Sequence, residues 1–504
     1  MTNVLTKRTL AIIGGAVSIV VVFGPASLWM LAMHGATTRF HDLINLSAVF
    51  QALGLALASY FCIRRAQLRQ STEDVIVAAI FSMAIAFYLA VINNSSEMPN
   101  SDYLCIQNGA WNILQHQLPY GQSTGYFLYP PMYAEAMASA YQMILLIGKQ
   151  FHWHPEPAQT LDLIFYLFQN AQLAALIGLL YCSYLFVLGT GRLTKIYAAA
   201  LSVAVIALNY PIKETIQWNQ VNLFLTCLVM FACSSLQKLD CLRGLALAVG
   251  IHLKAYPALI LPAWFLSGQR KACCWAILWT VAILGMTLGQ FGLAIWTSYF
   301  ATASGFIAKV TTSPQAYMLN GSCLYSLVYC AIKSIASVTG ANGPISWHLV
   351  NSLCNILRIA AGVWFASRIA RRHLPRTVRD ADTTRSLFYD DVCDVLSFGL
   401  IAGPTTLNHH YVLAVPVILW TIVKSGIASP FITVVGCILI LNFQSHVTTW
   451  MPLAPVGLVL LAVARKRDNA INSSQSIAGQ QRSIEPPPSE RTLETGSADL
   501  VLRR

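Results

Sequence analysis

The stretch NSDYLCIQNGAWNILQHQLPY, residues 100–120, places Asp102 directly after a long apolar run and follows it with polar and aromatic side chains. A carboxylate at the mouth of a membrane span has two roles open to it. Ser101 or Asp102 can cap the helix that carries Trp111 and Leu114, by accepting its first backbone N–H groups. Alternatively, Asp102 can act as a general base and take a proton from an attacking hydroxyl in a water-poor pocket. One aspartate does not make the carboxylate cluster of a two-metal centre. Nor does it make the flanking pair that glycoside hydrolysis uses.

Further along the chain, other residue types could do chemistry. YFLYPPMY (126–133) sets Tyr126, Tyr129 and Tyr133 around Pro130 and Pro131. Aromatics at headgroup level anchor a protein in the membrane, and their ring faces also pack on sugars; the prolines stiffen the entry to the next segment. YPIKETIQWNQVNL (210–223) brings Gln220 and Asn222 into a lipid-level run, where unpaired amides are costly. Helix–helix hydrogen bonds are their plain use. Lys254 lies within the apolar run 244–266, with Pro257 just after it. A charge there faces a cavity or a counter-ion, either an acidic side chain or a bound phosphate. The run is expected to break into two helices that enter and return. AGPTTLNHHYV (402–412) carries His409 and His410. Adjacent side chains on a helix point in different directions, so the pair suits hydrogen bonding to a phosphate better than joint ligation of a metal. No metal site and no cofactor is expected.

The elements that must position these groups are membrane helices. The chain has 504 residues, 56% hydrophobic and only 10% charged, with mean hydropathy +0.58. Soluble domains carry about 25% charged residues. Apolar runs long enough to cross a bilayer recur along most of the chain, whereas barrel strands would be short and alternating. This predicts an all-α polytopic membrane protein. The net charge of +12 is the by-product of Lys and Arg gathering in cytoplasmic loops; nucleic acid is not an expected partner. Thirteen cysteines show no zinc or redox spacing and behave as small hydrophobes.

Lys7 and Arg8 precede an apolar run too long for a signal-peptide core, which predicts a retained first span with the N-terminus inside. Arg64, Arg65 and Arg69 mark the return, so Asp102 falls on the outer side. Arg192 with Lys195, Lys238 with Arg243, Arg270 with Lys271, the series Arg368, Arg371, Arg372, Arg376 and Arg379, and Arg465 to Arg467 all fall inside. Stretches 94–129, 211–219, 295–322 and 403–410 then converge on the outer face. Residues 131–148 are apolar enough to span, yet fit this bookkeeping best as a non-crossing or re-entrant segment. Three regions result: N-terminal spans (1–94), a membrane domain that carries the candidate groups (95–465) and a polar cytoplasmic tail (466–504) whose composition predicts disorder.

The order of these pieces resembles glycosyltransferase family 87: an aspartate in the first large outer loop, then YPP, NQVN, GLALAVGIHLKAYPALILPAW, LNGS and GPTTLNHH, over roughly residues 95–465. The resemblance implies a GT-C bundle of about 12 transmembrane helices with outer-face loops forming the site. It implies transfer of a hexose, mannose by preference, from a polyprenyl-phosphate donor to a glycan or glycolipid hydroxyl, with inversion. The setting would be the extracytoplasmic face of a plasma (inner) membrane. On this resemblance Asp102 is the catalytic base, and Lys254, His409 and His410 bind the donor phosphate. Tyr129, Gln220, Asn222, Asn320 and Ser322 contact substrate. Gln220 and Asn222 match the family's Gly-Gln-x-Asn, with Asn219 in place of the glycine. Gly403, Thr406 and Leu407 replace Ser, Ser and Trp of Ser-Pro-x-Ser-Trp-x-His-His. The rival class is a transporter or lipid carrier with Lys254 as its coupling charge. That class predicts ionisable groups deep in several spans and matched repeats, and the polar groups here gather at loop ends instead.

Overall fold

A computed structural model describes residues 101–120, 127–150, 157–234, 239–312, 323–340, 343–374, 381–403, 406–425, 429–441 and 453–465, and parts of 73–85. The expectations for the N-terminal spans and for the tail fall largely outside these residues.

The described chain is helical: α1 (Ser101–Leu114), α2 (Pro131–Gln150), α3 (Pro157–Gly189), α4 (Lys195–Ala207), α5 (Tyr210–Gln217), α6 (Asn222–Ala232) and α7 (Asp240–Leu253). A 3-10 turn (Tyr256–Leu259) leads into α8 (Ile260–Leu266), α9 (Arg270–Phe291), α10 (Leu293–Thr312), α11 (Leu324–Thr339), α12 (Trp347–His373) and α13 (Ala381–Ala402). A second 3-10 segment (Asn408–Ala414) precedes α14 (Val415–Ser425) and α15 (Pro430–Leu441), and α16 is Ala454–Arg465. Segment Ala171–Gly189 of α3, together with α9 and α12, is long and apolar enough to cross a membrane; α4 and the first part of α5 form a fourth such unit, bent by 61°. α2 does not meet that test. It is one unbroken helix whose Tyr133, Met137, Tyr141 and Ile144 face is buried.

A break between α7 and α8 turns the chain inward. The α7 helix ends where expected, at Lys254, whose backbone is extended (φ −150°, ψ 133°). Pro257 follows in the 3-10 turn, where its missing N–H costs the backbone nothing. Close packing holds this break in register. A Cβ on Gly244 of α7 would lie 2.6 Å from Trp275 Cβ and 2.7 Å from the Ala276 nitrogen of α9, so only glycine permits that approach.

Away from this break lies a buried ion cluster that corrects one expectation. Arg368, Arg372 and Arg465 are not plain loop cations. Arg368 grips Asp394 through Nε (2.8 Å) and Nη2 (3.3 Å). Arg372 reaches Asp391 (2.8 Å) and Asp394 (2.7 Å), and Arg465 reaches Asp394 (2.8 Å). His373 meets Asp391, while Lys424 and Trp420 meet Asp390. All three aspartates are fully buried on α13. The cluster clamps α12, α14 and α16 onto that helix.

Removing one partner from such a network leaves uncompensated buried charge, at about 3–5 kcal/mol. Asp394→Ala is therefore expected to lower the thermal midpoint of the detergent-solubilised protein by many degrees. An unchanged midpoint would show that the guanidinium groups find water instead.

Candidate functional site

The site is built where the α7 break, the α5–α6 turn, the segment after α1 and the 3-10 segment before α14 meet. Lys254 caps α7 and sends its amine across to α6. Nζ donates to Asn222 Oδ1 at 2.8 Å and lies 2.9 Å from His410 Nε2. It also sits over the Tyr129 ring, 5.5 Å from the centroid, a cation–π distance. Tyr129 in turn donates its hydroxyl to Gln220 Oε1 at 2.7 Å. Tyr120 fixes that loop by donating to the Tyr129 carbonyl at 2.9 Å. Four sequence candidates, Tyr129, Gln220, Asn222 and Lys254, thus join His410 in one connected group.

The turn that aims Gln220 and Asn222 explains the departure from the family pattern. Asn219 has φ +50°, the left-handed region that glycine occupies freely and asparagine tolerates best among the rest. Its Oδ1 accepts from Gln172 Nε2 at 3.1 Å, in a buried contact. The replacement keeps the backbone turn and adds a tie to α3.

The two histidines have separate surroundings. The Leu407 N–H donates to His410 Nδ1 at 3.2 Å, which turns Nε2 toward Lys254. His409 is buried. Its carbonyl accepts from Thr215 at 3.2 Å, and its ring lies 5.6 Å from Trp218. Trp218, Thr215 and Gln172 were not foreseen as part of this arrangement; the signal for the turn was Asn219 standing where the family has glycine.

Asp102 is the second residue of α1, and its neighbour Tyr103 is buried. A run of rings leads from there to the lysine. Tyr103 lies 6.1 Å from Phe168, Phe168 6.5 Å from Tyr133, and Tyr133 5.1 Å from Tyr129. Asn320 and Ser322, and the side chain of Asp102, fall outside the described residues. Among the described residues no group of three His, Cys, Asp or Glu side chains could hold a metal ion. The arrangement can present N–H donors from Lys254 and His410 to an oxyanion, next to an aromatic face.

A family model for glycosyltransferase family 87 matches residues 127–387, which is more than half of the chain. The protein belongs to glycosyltransferase family 87. The matched span includes Tyr129, Gln220, Asn222 and Lys254 of the connected group, and the positions of Asn320 and Ser322; Asp102, His409 and His410 lie outside it. No curated protein and no solved structure matches the chain. Family membership and the apolar helices make this a membrane glycosyltransferase, and the transporter reading falls with it.

The turn gives a direct test. Asn219→Gly keeps the left-handed conformation and is expected to fold and retain activity. Asn219→Val adds a β-branched side chain at positive φ, a cost of about 1–2 kcal/mol, and loses the tie to Gln172. Thermal midpoints of the two variants in detergent check this; equal midpoints would remove the backbone argument.

Proposed function

We propose that this protein transfers a hexose, mannose by preference, from a polyprenyl-phosphate donor to an acceptor hydroxyl on a glycan or glycolipid at the extracytoplasmic face. The observation that carries the reading is the placement of Lys254 at a helix break, bonded to Asn222, beside the His410 imidazole and faced by Tyr129. A lipid phosphate is an anion that such a group can receive.

In this mechanism Asp102 takes the proton of the acceptor hydroxyl. The oxygen attacks the anomeric carbon, the bond from that carbon to the phosphate oxygen breaks, and the anomer inverts. Both bonding electrons leave with the phosphate. Lys254 and His410 stabilise the charge as it develops on the leaving oxygen, with His409 behind them. Such preorganised donors act most strongly where water is excluded. A phosphate leaves readily, so no strong acid is needed. Tyr129, Gln220 and Asn222, together with Asn320 and Ser322, orient the sugar and its phosphate. Nothing in this chemistry demands a metal.

Purified protein in nanodiscs with polyprenyl-phosphate mannose and a panel of glycolipid and glycan acceptors tests the reading by mass spectrometry. A product heavier by one hexose is expected. Asp102→Ala should lower its rate by about 10²–10⁴, the range of a lost general base. Lys254→Met should lower it by about 10²–10³, as for a lost oxyanion donor. Full activity of Asp102→Asn would remove that residue as base while leaving the enzyme class intact.

A further inference from the structure

From Asp240 to Asp380 the chain contains no other aspartate or glutamate. Arg358 lies within that stretch, eleven residues into α12, about 16 Å along the helix. This helix is one of those long and apolar enough to span. A guanidinium at such a position is costly and marks a functional group by default.

The described contacts of Arg358 are all neutral. Its guanidinium carbon stands 4.6 Å over the Tyr325 ring. Nη1 donates to Tyr325 Oη (3.3 Å) and Asn355 Oδ1 (3.0 Å). Tyr325 is itself oriented by donating to Asn351 Oδ1 at 2.7 Å. Nε and Nη2 are buried and have no hydrogen-bond partner among the described residues. These two nitrogens form the side-on edge with which arginine grips an oxyanion through parallel hydrogen bonds. The same protein shows that edge in use: Arg368 places Nε and Nη2 on the two oxygens of Asp394. At Arg358 the same edge is formed and buried, with no carboxylate on it among the described residues.

We propose that Arg358 anchors a lipid-phosphate subsite, separate from Lys254, in which Nε and Nη2 take two oxygens of the phosphate of a lipid arriving from the bilayer side of α11 and α12. The apolar surroundings favour a lipid over a soluble anion. Ile356, Ile359 and Val363 of α12 and Ile335 and Val338 of α11 are all exposed, so a ligand with an apolar tail finds matching surface on both helices. Arginine side chains on a helix lean toward its N-terminus, which brings this guanidinium toward the Asn351 level of α12. A rotation of the side chain opens the covered edge to the phosphate. Naming the lipid as the sugar donor rests on the proposed glycosyl transfer; binding of a lipid phosphate does not.

The test measures binding without turnover. Full-length protein in phosphatidylcholine nanodiscs is titrated with undecaprenyl monophosphate, with phosphatidylglycerol and with inorganic phosphate, and occupancy is followed by native mass spectrometry. Arg358→Gln should weaken at least one of the two lipids about tenfold, the worth of one charge-assisted contact. Arg358→Lys should restore only part of it, because an ammonium lacks the fork. Lys333→Gln, an exposed cation on α11, should change nothing. The thermal midpoint of Arg358→Gln should stay level or rise, since an unpaired buried charge is removed; a structural arginine would lower it. A loss confined to undecaprenyl monophosphate assigns the subsite to the donor. A loss confined to phosphatidylglycerol assigns it to a phosphodiester lipid of the bilayer or acceptor. Unchanged binding of both lipids, or an effect on inorganic phosphate alone, overturns the proposal. A preparation that binds lipid yet transfers no sugar would count against the glycosyl-transfer reading and leave this one standing.

Discussion

An amine set at a helix break inside an apolar bundle has to be held by polar partners, and that requirement organises the rest of the site. Lys254 is the residue that caps its helix, and its amine crosses to an amide oxygen on α6 and to an imidazole before α14. Each partner needs a backbone of its own. Asn222 is aimed by a left-handed turn at Asn219, and His410 by a 3-10 segment whose backbone N–H binds the far side of its ring. The tyrosine that covers the amine is fixed by a second tyrosine and by the paired prolines that open α2. The site therefore stands on breaks in helices, where backbone groups and side chains can turn inward; such irregular backbone is tolerated at depth only where protein surrounds it.

The bundle handles charge in two different ways. Around Asp394 each described cation meets a carboxylate, and the result is a closed cluster that fixes helices to one another. Around Lys254 and Arg358 the hydrogen-bond and ring partners described above are amides, an imidazole and phenol rings. At Arg358 such neutral partners orient the guanidinium while leaving it attractive to an anion. Asp390 to Asp394 lie at the middle of α13, eight to twelve residues before its end at Ala402, about 12–18 Å along the axis, so the rigid cluster and the His410 segment are set apart along one helix.

Much of this was legible in the sequence where a residue broke a local rule. A lysine in an apolar run followed by proline announced the break at Lys254, and amides in a lipid-level run announced partners for Gln220 and Asn222. The family resemblance added the order of the motifs and the role proposed for Asp102. What stayed hidden depends on contacts between distant segments. The aspartates of YDDVCDV look like the solvated start of a helix until Arg368, Arg372 and Arg465 are brought to them from two other helices. The division between His409 and His410 was invisible for the same reason: only the fold sets one against Trp218 and the other against Lys254.

The cluster on α13 also constrains how the protein can be made. Three carboxylates make this segment a poor candidate for leaving the translocon into lipid by itself. Arg368, Arg372 and His373 are synthesised before it, so α12 can wait beside the nascent helix and neutralise part of its charge. Lys424 arrives next, on α14. Asp394 receives its last cation only when Arg465 emerges on α16. Closing of the cluster therefore waits on α16: until that helix packs, Asp394 is held by Arg368 and Arg372 alone.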